Sequence, residues 1–158
     1  MAMVLIWLYR IAIAAVLAFA LRKGEEPERL VAGIIIATAT ADAINHAMFG
    51  YPAFFALDPG HLVIDSWALV GLLWVALRAN RGWPLWACAA QIIVVLAHTS
   101  KLIDLSLVRY GYFVMTQLPV TIQAVALLVG TRAHLLRRER IGRYHAWRPG
   151  PRAALRPA

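Results

Sequence analysis

The sequence predicts an all-α fold: a polytopic membrane helical bundle of about five transmembrane helices, with the N-terminus outside and a basic C-terminal tail in the cytoplasm. Three observations lead there. The 158-residue chain is 61% hydrophobic and only 15% charged, against soluble averages of roughly 45–50% and 25%. A soluble domain of this size could not bury so much apolar surface, whereas a bilayer can. Five apolar runs are each close to the ~20 residues that cross ~30 Å of hydrocarbon as a helix. The cationic side chains are also distributed unevenly between the loops, and that bias sets an orientation.

The runs are 2–22, 28–50, 60–78, 84–103 and 112–131. The first lacks a basic stretch before its apolar core and a small-residue cleavage site, so it is expected to be a retained helix and not a signal peptide. Gly24 suits the end of that helix, and Pro27 the first turn of the second. Asp58-Pro59 reads as a cap followed by a first-turn proline. Asn80 and Gly82 close the third helix and Pro84 opens the fourth. The segment SKLIDLSLVRYGY is compatible with an interfacial turn before the fifth helix, in which Pro119 is expected to introduce a kink. The short connections should join antiparallel neighbours.

With the N-terminus outside, the inner side receives Arg22, Lys23, Arg29, Arg78 and Arg81, while the outer loops carry Lys101 and Arg109. The net charge is +8, and half of the 16 Lys and Arg lie between Arg132 and Arg156. Cations directly after a last span report topology and attract anionic headgroups. The expected organisation is therefore a bundle over 1–136 and a basic cytoplasmic tail over 137–158, in the plasma (inner) membrane. The bilayer is the expected partner, with anionic lipid at the tail. Nucleic-acid binding by the tail, with Tyr144 and Trp147 as stacking groups, is the weaker reading. Five spans are few for a complete transporter, which points to a homo-oligomer or a larger membrane complex. One cysteine, Cys88, excludes an intramolecular disulfide and a thiolate cluster; it reads as a packing residue.

Polar residues interrupt the apolar runs in a pattern. Asp42 and His46 are spaced i,i+4 on the second helix, and His61 and Asp65 likewise on the third, so each pair shares a helical face. His98 lies near the outer end of the fourth helix with Gln91 two turns deeper. Under the predicted orientation the three imidazoles reach similar height, with Asp42 and Asp65 one turn, ~6 Å, beneath. Arg10 lies at a depth comparable to Asp42, where a lone cation is costly, so Asp42 or Asp65 is its expected partner. Asn45 continues a small-residue stripe with Gly33, Ala37 and Ala41, which should let the second helix pack centrally. Gln117 and Thr121 add polarity to one face of the fifth.

Neutral imidazoles backed by carboxylates suit a divalent transition metal, with His46, His61, His98, Asp42 and Asp65 as the candidate donors. They equally suit a proton path through the same residues with Arg10, Asn45 and Gln91. A bis-imidazole haem is compatible with histidines on facing helices, although no Cys-x-x-Cys-His attachment motif occurs. HExxH, HxxEH, GxSxG and P-loop signatures are absent. A single intramembrane histidine is more commonly an interfacial side chain bonded to a headgroup or carbonyl, and either aspartate could serve only to neutralise Arg10. It is the co-location of the set that suggests one site. Three functions fit: an outward-side layer handling protons or a divalent metal, an accessory or assembly subunit knitted by that layer, and a membrane-embedded metal-dependent or redox enzyme. ADAINH and HLVIDS resemble a mirrored pair but do not establish a repeat.

The remaining features read more simply. Trp7, Trp67, Trp74, Trp83 and Trp86, with Tyr51, Tyr110 and Tyr112, are expected as interfacial or lipid-facing anchors. GEEPER reads as a solvated turn, Lys101 and Asp104 as interfacial, and His134 and His145 as headgroup-facing.

Overall fold

The computed structural model describes residues 2–50, 59–103 and 109–148. Among these the chain forms five helices, α1 (Ala2–Lys23), α2 (Glu26–Phe49), α3 (Pro59–Arg78), α4 (Trp83–Ile103) and α5 (Arg109–Ile141). All five are long and apolar enough to cross a membrane. Tyr51, Asp58, Asp104 and the tail beyond Arg148 lie outside the described residues.

Local chemistry accounts for the boundaries. The Gly24 N–H donates to the Ala20 carbonyl at 2.8 Å and closes α1. Glu25 and Glu28 form a capping box at the start of α2, with Pro27 in the first turn. Pro59 is the first residue of α3 and Pro84 the second of α4. Pro119 lies inside α5 without ending it. At 33 residues, α5 runs past the predicted span and the expected boundary at 136, for a length of about 50 Å. It stops where Gly142, at φ +77°, donates its N–H to the Arg138 carbonyl.

Consecutive helices pack side by side, α5 closes back on α1, and α2 also touches α5, which makes a five-membered ring in chain order. One end of the ring gathers the C-terminal turns of α2 and α4 and the N-terminal turns of α3 and α5; it is the histidine end. The other, the latch end, gathers the α1–α2 and α3–α4 connections. Between the middle and the latch end the interior is solid. Ala20, Val31, Ala32, Leu72, Val75, Ala76, Cys88 and Leu127 pack there into one apolar core. Small residues at many of these positions allow the backbones to approach closely.

Several expectations fail at the latch end. GEEPER is not a solvated turn: Glu28 is 0% exposed. Its carboxylate takes a hydrogen bond from Arg81 and another from Trp83 Nε1 at 3.1 Å, while Arg81 also reaches Glu25 at 2.5 Å. A carboxylate so far from water needs this pairing. Trp83 is thus a structural donor here, not a lipid anchor, and its ring lies against Gly130, where a methyl group would collide with it. His134 is buried and bonded through Nδ1 to the Tyr144 hydroxyl at 2.8 Å, so it does not face headgroups. Burial pushes the Tyr144 phenol above its ordinary pKa, keeping it protonated. Residues 142–148 fold back as a strap: Asn80 N–H donates to Ala146 O and Arg148 N–H to Arg78 O, both at 2.9 Å. Trp147 then bonds Glu26 and packs its ring, tilted, against that of Trp74.

The packed face of α2 also differs from expectation. Gly33 and Ala37 are exposed, and only Ala41 and Asn45 of the small-residue stripe turn inward. Glu28, Val31, Ala32 and Ile35 form the buried face instead. Large hydrophobics further along each helix point outward, including Trp7, Trp67, Trp74 and Trp86, as lipid contact requires.

Candidate metal centre

Toward the histidine end the ring is hollow. A cavity of about 520 Å³ is lined by all five helices, with Arg10 from α1, Asp42 and His46 from α2, His61 and Asp65 from α3, Gln91 and His98 from α4, and Tyr112, Gln117 and Gln123 from α5. Seven of the eight residues singled out in the sequence therefore face one space. The eighth, Asn45, is buried but does not line it.

The polar groups divide into two clusters. The first is Asp42, His46 and His61, each of which offers one donor atom, all within 4.8 Å of one another. His46 Nε2 is 3.5 Å from Asp42 Oδ2, and His61 Nε2 is 2.9 Å from Asp42 Oδ1. The edges of a tetrahedron with ~2.1 Å bonds are roughly 3.4 Å, so these donors need only small movements to share an ion. The ring centroids of His46 and His61 are 4.8 Å apart and nearly perpendicular.

Orientation of His46 comes from the end of its own helix. Its Nδ1 lies 3.1 Å from the Gly50 carbonyl, and the Gly50 N–H returns a bond to the His46 carbonyl at 2.9 Å. A carbonyl only accepts, so Nδ1 carries a proton, and Nε2 is the nitrogen that faces Asp42 and the cavity as the atom for an ion. This arrangement, in which a backbone carbonyl fixes tautomer and rotation, is the usual support for a metal-ligating imidazole. Gly50 takes φ +88° to make it, a region that disfavours a side chain. His61 is placed by a close approach one residue earlier: a methyl at Gly60 would collide with the Asn45 side-chain amide. Asn45 and Gly60 thus bring the start of α3 against α2.

The second cluster is saturated by its own hydrogen bonds. His98 Nε2 lies 2.9 Å from Asp65 Oδ2, and its Nδ1 lies 2.7 Å from the Tyr112 hydroxyl. Gln91 Nε2 donates to Asp65 Oδ1 at 2.9 Å and to its backbone carbonyl at 3.1 Å. Gln123 Nε2 donates to Gln91 Oε1 at 2.6 Å. The His98 ring is 6.1 Å from that of His61, yet both of its nitrogens are committed elsewhere. The five donors expected from sequence therefore do not converge as one set: Asp42, His46 and His61 come together, while Asp65 and His98 belong to the second, hydrogen-bonded cluster.

Three contributors escaped the sequence reading. Tyr112 is buried and bonded to His98, so it is not an interfacial anchor. Gln123 closes the hydrogen-bonded chain. Their signal was the spacing Tyr112, Thr116, Val120, Gln123, a stripe along one face of α5 that lines the cavity. Lys101, expected at the interface, is buried, with its ammonium 6.0 Å over the Tyr112 ring. Thr121 points away from Gln117 and meets the Tyr9 hydroxyl at 3.0 Å. Arg10 lies over Trp7 at 5.6 Å and, among the described residues, forms no ion pair with Asp42 or Asp65. Both aspartates already have partners.

Two imidazoles and one carboxylate leave at least one coordination position open toward the cavity. Such a donor set suits Zn²⁺ or Fe²⁺ better than Mg²⁺ or Ca²⁺, which favour all-oxygen shells. No protein-family model, curated protein or solved structure matches this chain, and the chemistry of the site is read from its geometry.

Proposed function

We propose that this multi-pass membrane protein binds a divalent first-row transition-metal ion at Asp42, His46 and His61, in the cavity toward the histidine end. The observation that carries the reading is the convergence of three donor atoms within 4.8 Å, one of them on a ring oriented by the Gly50 carbonyl. Asp42 supplies the negative charge and the two imidazoles supply borderline-soft nitrogen. The cation distribution supports an orientation with the histidine end and the N-terminus outside and the arginine-rich end of α5 against anionic lipid on the cytoplasmic face of the plasma membrane.

Metal content of the purified full-length protein tests this reading. About one equivalent of metal per chain is expected after loading with Zn²⁺ or Fe²⁺ and desalting, with loss in His46→Ala and in His61→Ala. Far less than one equivalent, unchanged by both substitutions in variants that remain helical and monodisperse, would overturn it.

A second reading, the accessory subunit, draws on the saturated Asp65–His98–Tyr112 chain, whose satisfied bonds suit a structural clasp between α3, α4 and α5. Asp65→Asn would then lower the melting temperature without changing metal content.

A further inference from the structure

The charges lining the cavity do not balance once a metal is bound. Asp42, Asp65 and Arg10 are its charged side chains. Imidazoles ligate only as neutral rings, so the donor set Asp42, His46 and His61 brings a single negative charge to a divalent ion, while Asp65 is already held by His98 and Gln91. With a divalent ion the three-donor centre is left with one net positive charge, and the buried Lys101 ammonium over the Tyr112 ring adds to the excess. At bilayer depth an uncompensated charge is strongly disfavoured.

Arg10 sharpens the imbalance. It lies about 12 Å along α1 from the first described residue, faces the same cavity as the metal donors, and has only the Trp7 ring as a partner among the described residues. A guanidinium is a fork that matches the two oxygens of a carboxylate or phosphate. The three-donor centre leaves a coordination position open for an oxygen ligand. A cavity of about 520 Å³ has room for an organic body behind such a group.

We infer that the metal-loaded cavity binds an oxyanion, a carboxylate or phosphate group, which occupies the open metal position and pairs with Arg10. This rests on the metal reading above and adds the chemical class of its ligand. The anion offsets the positive excess, so metal and anion bind cooperatively.

Co²⁺ serves as the probe, because its visible absorption reports coordination. Stoichiometry is measured first on full-length protein in a maltoside detergent, which carries no phosphate. Inorganic phosphate, acetate and a short-chain phosphatidic acid are then titrated into cobalt-loaded and metal-free protein, by absorbance and by calorimetry. Binding is expected only with metal present, with a change in the cobalt band. Arg10→Gln should keep cobalt stoichiometry and weaken anion binding by about tenfold or more, with a smaller loss in Arg10→Lys. Tighter binding of the phosphatidic acid assigns a lipid headgroup as the source; equal or weaker binding assigns a soluble ligand. Uptake of none of the three by cobalt-loaded protein, or unchanged affinity in Arg10→Gln, overturns the inference and leaves the metal site standing. Failure to load cobalt overturns both.

Discussion

Gly50 does two jobs with one residue: its N–H caps α2 and its carbonyl orients His46. Gly50→Ala should lower stability by about 1–3 kcal/mol, since φ +88° is strained for a side chain. It should also weaken metal binding by roughly tenfold or more, because an alanine that leaves this φ carries the orienting carbonyl away from His46; competition with a chromogenic chelator measures this. Gly60 works by absence of a side chain. In Gly60→Ala the new methyl meets the Asn45 amide, so the start of α3 must shift and His61 with it, and metal affinity falls. Adding Asn45→Ala makes room and should restore much of it. At the opposite end, Arg81→Met strands the fully buried Glu28 carboxylate. The expected loss is about 3–5 kcal/mol, with Glu28→Gln in the same chain recovering a large part, because an uncompensated buried charge costs more than an absent pair. Thermal unfolding in detergent distinguishes the single and double variants.

At the scale of elements, α3 divides the polar layer. His61 and Asp65 share a face at i,i+4, and in sequence they read as a unit. In the fold His61 turns to Asp42 on α2, while Asp65 turns to Gln91 and His98 on α4. The doublets were legible because helical periodicity is local. Their cross-helix partners were not, because helix rotation is set by distant packing such as Asn45 on Gly60. The same contrast runs through the rest of the chain. Hydropathy with Gly24, Pro27, Pro59 and Pro84 marked the helix ends to within a few residues. The continuation of α5 to Ile141 reads as tail because HLLRRER is polar; yet it contains good helix formers and no breaker before Gly142. Buried Glu28 was missed because its partner Arg81 is 53 residues away in sequence. The strap invites its own test. Truncation after Ile141 removes both backbone bonds to residues 78–80 and the Trp147 contacts. It should lower the melting temperature and expose the α3–α4 connection to proteolysis, while metal content at the far end stays unchanged.

The whole molecule joins a solid apolar half to a hollow polar one. Imidazoles ligate only when neutral, so protons compete with metal for His46 and His61. Bound metal should therefore fall as pH is lowered and return on neutralisation, with the fold retained; equilibrium dialysis against a fixed free-metal concentration measures it. If the retained metal did not change with acidification, the two histidines would not be its ligands.

The filled half has a consequence for traffic. From the cavity floor at Leu72 and Gln123, the way onward leads into interlocked alanine, valine and leucine side chains, with the Glu28–Arg81 pair and the returning strap beyond them. Among the described residues, the cavity therefore ends inside the bundle and does not run through to the latch end. A path to the latch end would require unpicking that packed interior and separating a shielded ion pair.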